Sequence, residues 1–328
     1  MEEFNLTILF ASVIATATPI LLATLGETIS EKSGIINLSL DGTLLLCAMT
    51  GFVISYETNS LILGFAGAAV VGAVISSIVG VFSIYLNQSQ VAVGFVLTLM
   101  ARDLAYFIGN PYSRIQGPQV AHMPIPFLED IPFLGSVFFN HNFTVYFSML
   151  MIFACWWYIY KTPYGLKLRA VGEHPGAAFS RAINPRKSQM LYVIAGGLII
   201  GIAGATFSLS TKAGWGRPQG AEGTGWIALA LVIFGGWNPI KAAVGAYLFA
   251  FLQTMGIHFQ SWFPSVPAQV FNMAPFPLMI FTLLIINFFQ RESIILLAKD
   301  KPLLKTILRK LDNTAPTSLG KPYKPDEY

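Results

Sequence analysis

The run LILGFAGAAVVGAVISSIVGVFSIYL, residues 61–86, holds no charged side chain and exceeds the length a helix needs to cross a bilayer. About 20 apolar residues, rising ~1.5 Å each, span the hydrocarbon core. No water is present there to pair with the backbone, so such a run folds as a helix. Its small residues recur at every fourth position: Gly64, Ala68, Gly72, Ser76 and Gly80. They form a stripe along which a second helix can approach closely.

Similar runs stand on both sides of it, at 6–25, 35–55, 91–108, 143–160, 190–210, 240–258 and 275–289, the last extending toward 297. Pro19 is expected to kink the first. The run at 190–210 repeats the small-residue spacing with Gly197, Gly201 and Ala205. Residues 226–234 make only half a span, bounded by Gly225 and by GGWNP at 235–239. With its glycine flanks it just crosses; otherwise it is a discontinuous segment, which a membrane protein tolerates only where it lines a cavity. Residues 26–34 read as too polar for lipid, and 87–90 breaks the apolar pattern. Residues 109–140 form the longest loop, rich in proline and aromatics, and 211–223 is polar and glycine-rich.

Of the whole chain, 54% is hydrophobic and 11% charged, against about a quarter charged in soluble domains. The strand alternation of a membrane barrel is absent. The expected fold is therefore all-α: a polytopic membrane helix bundle of about eight to ten transmembrane segments, short or discontinuous helices included. The N-terminus begins acidic and lacks the basic region of a cleavable signal, so the first span is read as retained.

Charge placement sets the expected topology. The stretch KTPYGLKLRAVGEHPGAAFSRAINPRKS, 161–188, carries Lys161, Lys167, Arg169, Arg181, Arg186 and Lys187 against one acid, Glu173. Within it, 175–182 reads as a short helix with two adjacent alanines, Ala177 and Ala178, a small-residue surface for another protein. With nine segments and the N-terminus outside, sixteen of the twenty Lys and Arg fall on the cytoplasmic side. That asymmetry fixes orientation. Arg114, Lys212 and Arg217 lie on the other side, and Arg102 near a helix end. The chain divides into a membrane domain, 1–297, with its cytoplasmic loop at 161–188, and a cytoplasmic basic tail, 298–328. The tail is read as a surface helix at 303–311 with a disordered end.

Motifs for catalysis are missing. The sequence has no GxxxxGK[ST] phosphate loop, no GxSxG elbow and no HExxH. Cys47 and Cys155 sit in apolar runs and read as buried thiols. Intramembrane polar residues remain as candidates, because a charge at mid-bilayer costs at least about 2.5–3.5 kcal/mol. Asn37 and Asp41 would share one helix face at i, i+4, either toward a cavity or, the favoured reading, bonding the polar 26–34 turn. Arg102 and Asp103 are adjacent and are each expected to find a separate interfacial partner. Trp215, Trp226 and Trp237 would stack on a planar or sugar-like ligand, or else form an interfacial aromatic belt. His174 and His258 read as structural.

Three stretches, in order, carry a resemblance. GETISEKSGIINLSLDGTLLLCA (26–48) resembles a segment of the permease subunits of ABC importers for nucleosides and simple sugars, relatives of the branched-chain amino acid permeases. Its marks are Glu31, Gly34, Asn37-Leu38 and Asp41-Gly42, with Asp where that family usually has Glu. YGLKLRAVGEHPGAAFSRAIN (164–184) is similar to the family's coupling segment, through Gly165, Arg169, Gly172, Pro175, Ala177, Ala178 and Ile183, with Ala182 where glycine is common. GTGWIALALVIFGGWNPIKAAVGAYLFAFLQ (223–253) resembles its glycine-flanked run before Asn-Pro. The resemblance covers about residues 20–297.

It implies a permease subunit that forms the translocation pathway for nucleosides or a related small polar solute such as a simple sugar, purine or flavin-like compound. ATP would be bound and hydrolysed on separate ABC ATPase subunits, leaving this chain with no cofactor, no metal and no catalytic residue. The expected partners are those ATPases, a second permease (a paralogue or, as the alternative, a second copy), an extracytoplasmic substrate-binding lipoprotein and the lipid bilayer of a bacterial inner membrane; no nucleic acid is expected. Gly165, Arg169, Gly172, Glu173, Pro175, Ala177, Ala178 and Arg181 are the expected coupling residues. Asn37, Asp41, Trp226, Trp237 and Asn238 are the expected pathway residues. The alternative is a self-contained secondary transporter or channel, for which Asp41 is almost the only candidate acid deep in a span.

Overall fold

A computed structural model describes residues 6–263, scattered positions between 265 and 284, and residues 314–321 with 323. Ten α-helices order the described chain: α1 (Leu6–Lys32), α2 (Leu40–Thr58), α3 (Leu61–Gly80), α4 (Gln90–Gly109), α5 (Phe143–Lys161), α6 (Pro163–Glu173), α7 (Pro175–Ser180), α8 (Pro185–Thr206), α9 (Thr224–Phe234) and α10 (Pro239–Trp262). No strand occurs among the described residues. Seven of these helices are long and apolar enough to cross a membrane, and α9 is a shorter apolar helix. Most of the expected span at 275–289, the surface helix at 303–311 and most of the basic tail lie outside the described residues.

α1, α2, α3 and α8 form the centre of the bundle, and the two small-residue stripes explain how. A Cβ built on Gly72 would overlap the Gly197 carbonyl oxygen, and one on Gly201 would overlap that of Ala68. A Cβ on Gly197 would come 2.6 Å from the Gly72 oxygen. Backbones this close gain dispersion along their whole length, which in lipid replaces the hydrophobic drive between helices. α3 and α8 both end in π turns, Val81–Tyr85 and Phe207–Thr211.

Three boundaries differ from the sequence reading. α1 runs through Pro19 and past the expected loop at 26–34, ending at Lys32. Its polar last turns are buried in protein instead of being shed into water: Glu27, Thr28 and Ser30 are all fully buried. α2 starts at Leu40, not 35, leaving 34–39 as non-helical chain folded back into the bundle. The basic segment 161–188 is mostly helical: α6 occupies the part read as loop, and α7 is a single short turn of helix after it.

Two ends of the bundle can be told apart by α5 and α8. At one end Asn142 Nδ2 donates to Ser210 Oγ at 2.7 Å. At the other the Tyr192 hydroxyl donates to the Tyr164 carbonyl at 2.8 Å, beside α6 and α7. Cys47 and Cys155 are free and buried, as expected.

Candidate functional site

The surface formed by α6 and α7 is two-sided. Thr162 caps α6, its Oγ1 accepting from Gly165 N at 3.0 Å, with Pro163 at the first helical position. Gly165, Leu168, Val171 and Gly172 face inward, as do Pro175, Gly176 and Ala178. A Cβ on Gly172 would overlap the Lys32 carbonyl oxygen, so α6 lies directly on the end of α1. Tyr164, Leu166 and Phe179 are about 60% exposed on the other face, flanked by Lys167, Ala177 and Arg181. The two adjacent alanines thus point opposite ways, Ala177 outward and Ala178 into the protein. Arg169 lies half-buried with its guanidinium 5.4 Å from the centre of the Tyr160 ring, whereas Arg181 is exposed. Glu173 accepts from the backbone N and Oγ1 of Thr317, a contact that sequence reasoning missed.

Behind this surface lie two breaks in the helical bundle, 33–39 and 235–238, both tied to α1. Glu27 Oε1 accepts from Asn37 N at 2.8 Å, and Glu31 Oε2 accepts from Trp237 Nε1 at 2.5 Å. Asn37 is fully buried and its polar groups are all engaged: Nδ2 donates to Ser76 Oγ at 3.0 Å, and Oδ1 accepts from Ser39. Asn37 lies outside any helix and does not share a helical face with Asp41, because α2 begins three residues later.

Asp41 instead meets the start of α9. Its Oδ1 accepts from Gly225 N at 3.0 Å, one of the amide groups that a helix N-terminus leaves without an internal partner. A Cβ on Gly225 would overlap the Asp41 backbone, so only glycine permits this approach. The same level is fixed against α4, where Thr98 Oγ1 donates to the Leu38 carbonyl at 2.7 Å. Thr98 stands eight residues into α4, about 12 Å from its start at ~1.5 Å per residue. Thr224 and Gly225, at the start of α9, are buried in the bundle.

Trp237 is buried and Trp226 is 39% exposed, so the two indoles do not form one stacking platform. Asn238 is the N-cap of α10, Oδ1 accepting from Ile240 N at 3.0 Å. Trp215 is buried against Tyr106, ring centres 5.6 Å apart. Arg102 and Asp103 pair with each other at 3.3 Å on the surface, against the expectation of separate partners; an exposed pair of this kind contributes little.

At the end away from α6 and α7, the 211–223 loop and residues 114–119 enclose a polar cleft of about 330 Å³ lined by Arg114, Gln119, Lys212, Trp215, Arg217 and Gln219. Glu222 organises it. Its carboxyl accepts from the Tyr106 hydroxyl, from Gln219 N at 2.7 Å and from Gly220 N at 2.6 Å. Partial burial pushes that carboxyl up, but the Tyr106 hydroxyl and the backbone donors outweigh it and hold it below the ordinary carboxylate range. Arg217 stacks over the Tyr106 ring at 4.8 Å. No group of three or more metal-ligating side chains occurs among the described residues.

The chain matches the family described as the branched-chain amino acid transport system / permease component over residues 9–284. It is 35% identical over 257 residues to TsgC13 of Haloferax volcanii, an ABC transporter permease protein named for glucose, covering 77% of this chain and 78% of that one. It is 29% identical over 305 residues to the nucleoside ABC transporter permease protein NupC of Lactococcus lactis subsp. cremoris, covering 88% and 94%. It is 32% identical over 292 residues to the guanosine ABC transporter permease protein NupQ of Bacillus subtilis, covering 85% and 91%. No solved structure gives a significant match. The chain belongs to this family of permease components: it is a membrane-embedded transport subunit of an ABC importer, not a catalyst.

Proposed function

We propose that this permease passes a nucleoside, or a related small polar solute such as a simple sugar, across a bacterial inner membrane, driven by ATP hydrolysis on separate ABC ATPase subunits. The α6–α7 surface is where those subunits grip. The observation that carries this reading is its two-sidedness: an exposed face of Tyr164, Leu166, Ala177 and Phe179 with cations around it, and an inward face seated on α1 through Gly172. A groove on the ATPase would take the apolar side chains while its acidic rim meets Lys167 and Arg181. The cationic stretch lies on the cytoplasmic side by the charge rule, which puts the N-terminus outside and the C-terminus inside.

A second permease, a paralogue in preference to another copy, would complete the pathway. The polar cleft at the opposite end, with Arg114, Lys212 and Arg217, suits an acidic surface of an extracytoplasmic binding lipoprotein that delivers the solute. The solute class follows from relatives named for nucleoside, guanosine and glucose. Ala177→Trp tests the reading: the variant should insert and fold, but lose the ATPase subunits on purification and import less than a tenth of the wild-type amount. Normal uptake with a tryptophan at 177 would contradict it.

A further inference from the structure

The basic tail was expected to end disordered, yet residues 314–321 form a compact turn set against the foot of the bundle. Leu319 N donates to the Pro316 carbonyl and Lys321 N to that of Ser318, both at 3.0 Å. Pro316, Ser318 and Tyr323 are buried.

What this turn bonds is specific. A helix leaves its last carbonyl groups without intrahelical donors, and two helices end here. At the end of α6, the Gly172 carbonyl accepts from Ser318 N at 3.0 Å and from Ser318 Oγ at 2.5 Å. Glu173 accepts from Thr317. Just beyond α1, the Gly34 carbonyl accepts from Gly320 N at 3.0 Å. Gln189 of α8 supplies the neighbouring bond, Nε2 to the Ser33 carbonyl at 3.0 Å. Gly34 has φ +98°, and a Cβ there would come 2.7 Å from Ser318 Oγ, so the site is shaped to admit the tail. The Tyr323 ring lies beside that of Phe179 of α7, centres 6.4 Å apart and tilted by 43°, leaving Phe179 largely exposed.

One strap of tail therefore fastens two pieces of chain that are far apart in sequence: the α6–α7 surface, and the 33–36 turn. That turn leads straight into the folded-back segment whose Asn37 bonds Glu27 and whose Leu38 bonds Thr98, and which runs into the first turn of α2, where Asp41 meets α9. We propose that residues 316–320, through Thr317, Ser318 and Gly320, are positioning residues for transport: they transmit displacement of α6–α7 to the folded-back segment and the start of α9. The inference rests on the reading of α6–α7 as the ATPase-gripping surface.

The test uses the assembled transporter in proteoliposomes with three variants: a chain ending at residue 313, Ser318→Leu in the full-length chain, and Lys321→Ala. The leucine places an apolar branch against the Gly172 carbonyl; among the described residues Lys321 engages the turn through its backbone N–H, with its side chain exposed. For the first two, the ATPase subunits should co-purify and hydrolyse ATP within about twofold of wild type, while uptake falls tenfold or more. Lys321→Ala should import normally. Normal uptake in both altered tails would overturn the proposal. So would faster uptake and hydrolysis, which would make the tail a brake, or loss of the ATPase subunits, which would make it part of their seat. Failure of the underlying reading looks different: no ATPase subunit would co-purify even with the wild-type chain.

Discussion

The bond between Glu31 and Trp237 joins α1 to the break between α9 and α10, and its strength can be measured directly. Both residues are nearly sealed, at 3% and 6% exposure, and the indole nitrogen lies 2.5 Å from the carboxyl oxygen. Trp237→Phe keeps an aromatic ring but removes the donor, leaving a buried acceptor unpaired at a cost of about 1–3 kcal/mol. Glu31→Leu removes the acceptor and strands the indole N–H at a similar cost. The double variant strands neither group, so it should be less destabilised than the sum of the two. Interhelical hydrogen bonds in membranes average about 0.6 kcal/mol with a maximum near 1.7. Burial on both sides places this one near the top, so the expected coupling is ~1–2 kcal/mol. Equilibrium unfolding of the purified chain by SDS in mixed micelles reads the four corners of the cycle. Glu31→Gln, which retains an acceptor, should lose least. Two single variants that add to within ~0.3 kcal/mol would refute the idea that this bond holds the break in place.

Other expectations follow from the same geometry. Ala178→Trp, unlike Ala177→Trp, should reduce the amount of folded protein, since Ala178 is 3% exposed and overpacking costs about 1–3 kcal/mol or more; yield after size-exclusion chromatography reads this. Gly72→Val should destabilise the bundle by at least ~2 kcal/mol, because its side chain meets the Gly197 backbone and neither helix can yield locally; thermal unfolding in detergent tests it. Glu222, with its carboxyl held below the ordinary range, stabilises the 211–223 loop at pH values above its unfolded pKa, and that contribution fades as pH falls through the folded value. Glu222→Gln should therefore speed proteolysis of the loop at pH 7, and the difference from wild type should shrink as the pH is lowered through and beneath the ordinary carboxylate range.

The bundle was legible because apolar runs and small-residue spacing are local signals. Gly72 and Gly197 announced an interface at sequence level, and the structure places them against each other. The polar half of α1 was not legible in the same way. Glu27 and Glu31 look like a loop until their donors in space are known, namely the Asn37 backbone N–H ten residues on and an indole N–H more than two hundred residues away. Asp41 was found by its cost in a membrane, but its partner Gly225 was not, because nothing local ties a carboxyl to a helix start so distant in sequence. The tail turn failed for the opposite reason: Thr317, Ser318 and Gly320 have the composition of disordered chain, and their order comes from capping carbonyls elsewhere.

The central claim is that this chain moves only when force reaches it through α6–α7. Flux of radiolabelled nucleoside into proteoliposomes, measured for the chain alone and for the chain assembled with its partner permease, binding protein and ATPase subunits, tests it most directly. The account predicts no flux from the chain alone and ATP-dependent accumulation in the assembly. Accumulation or leak through the chain alone, unchanged by ATP, would contradict it.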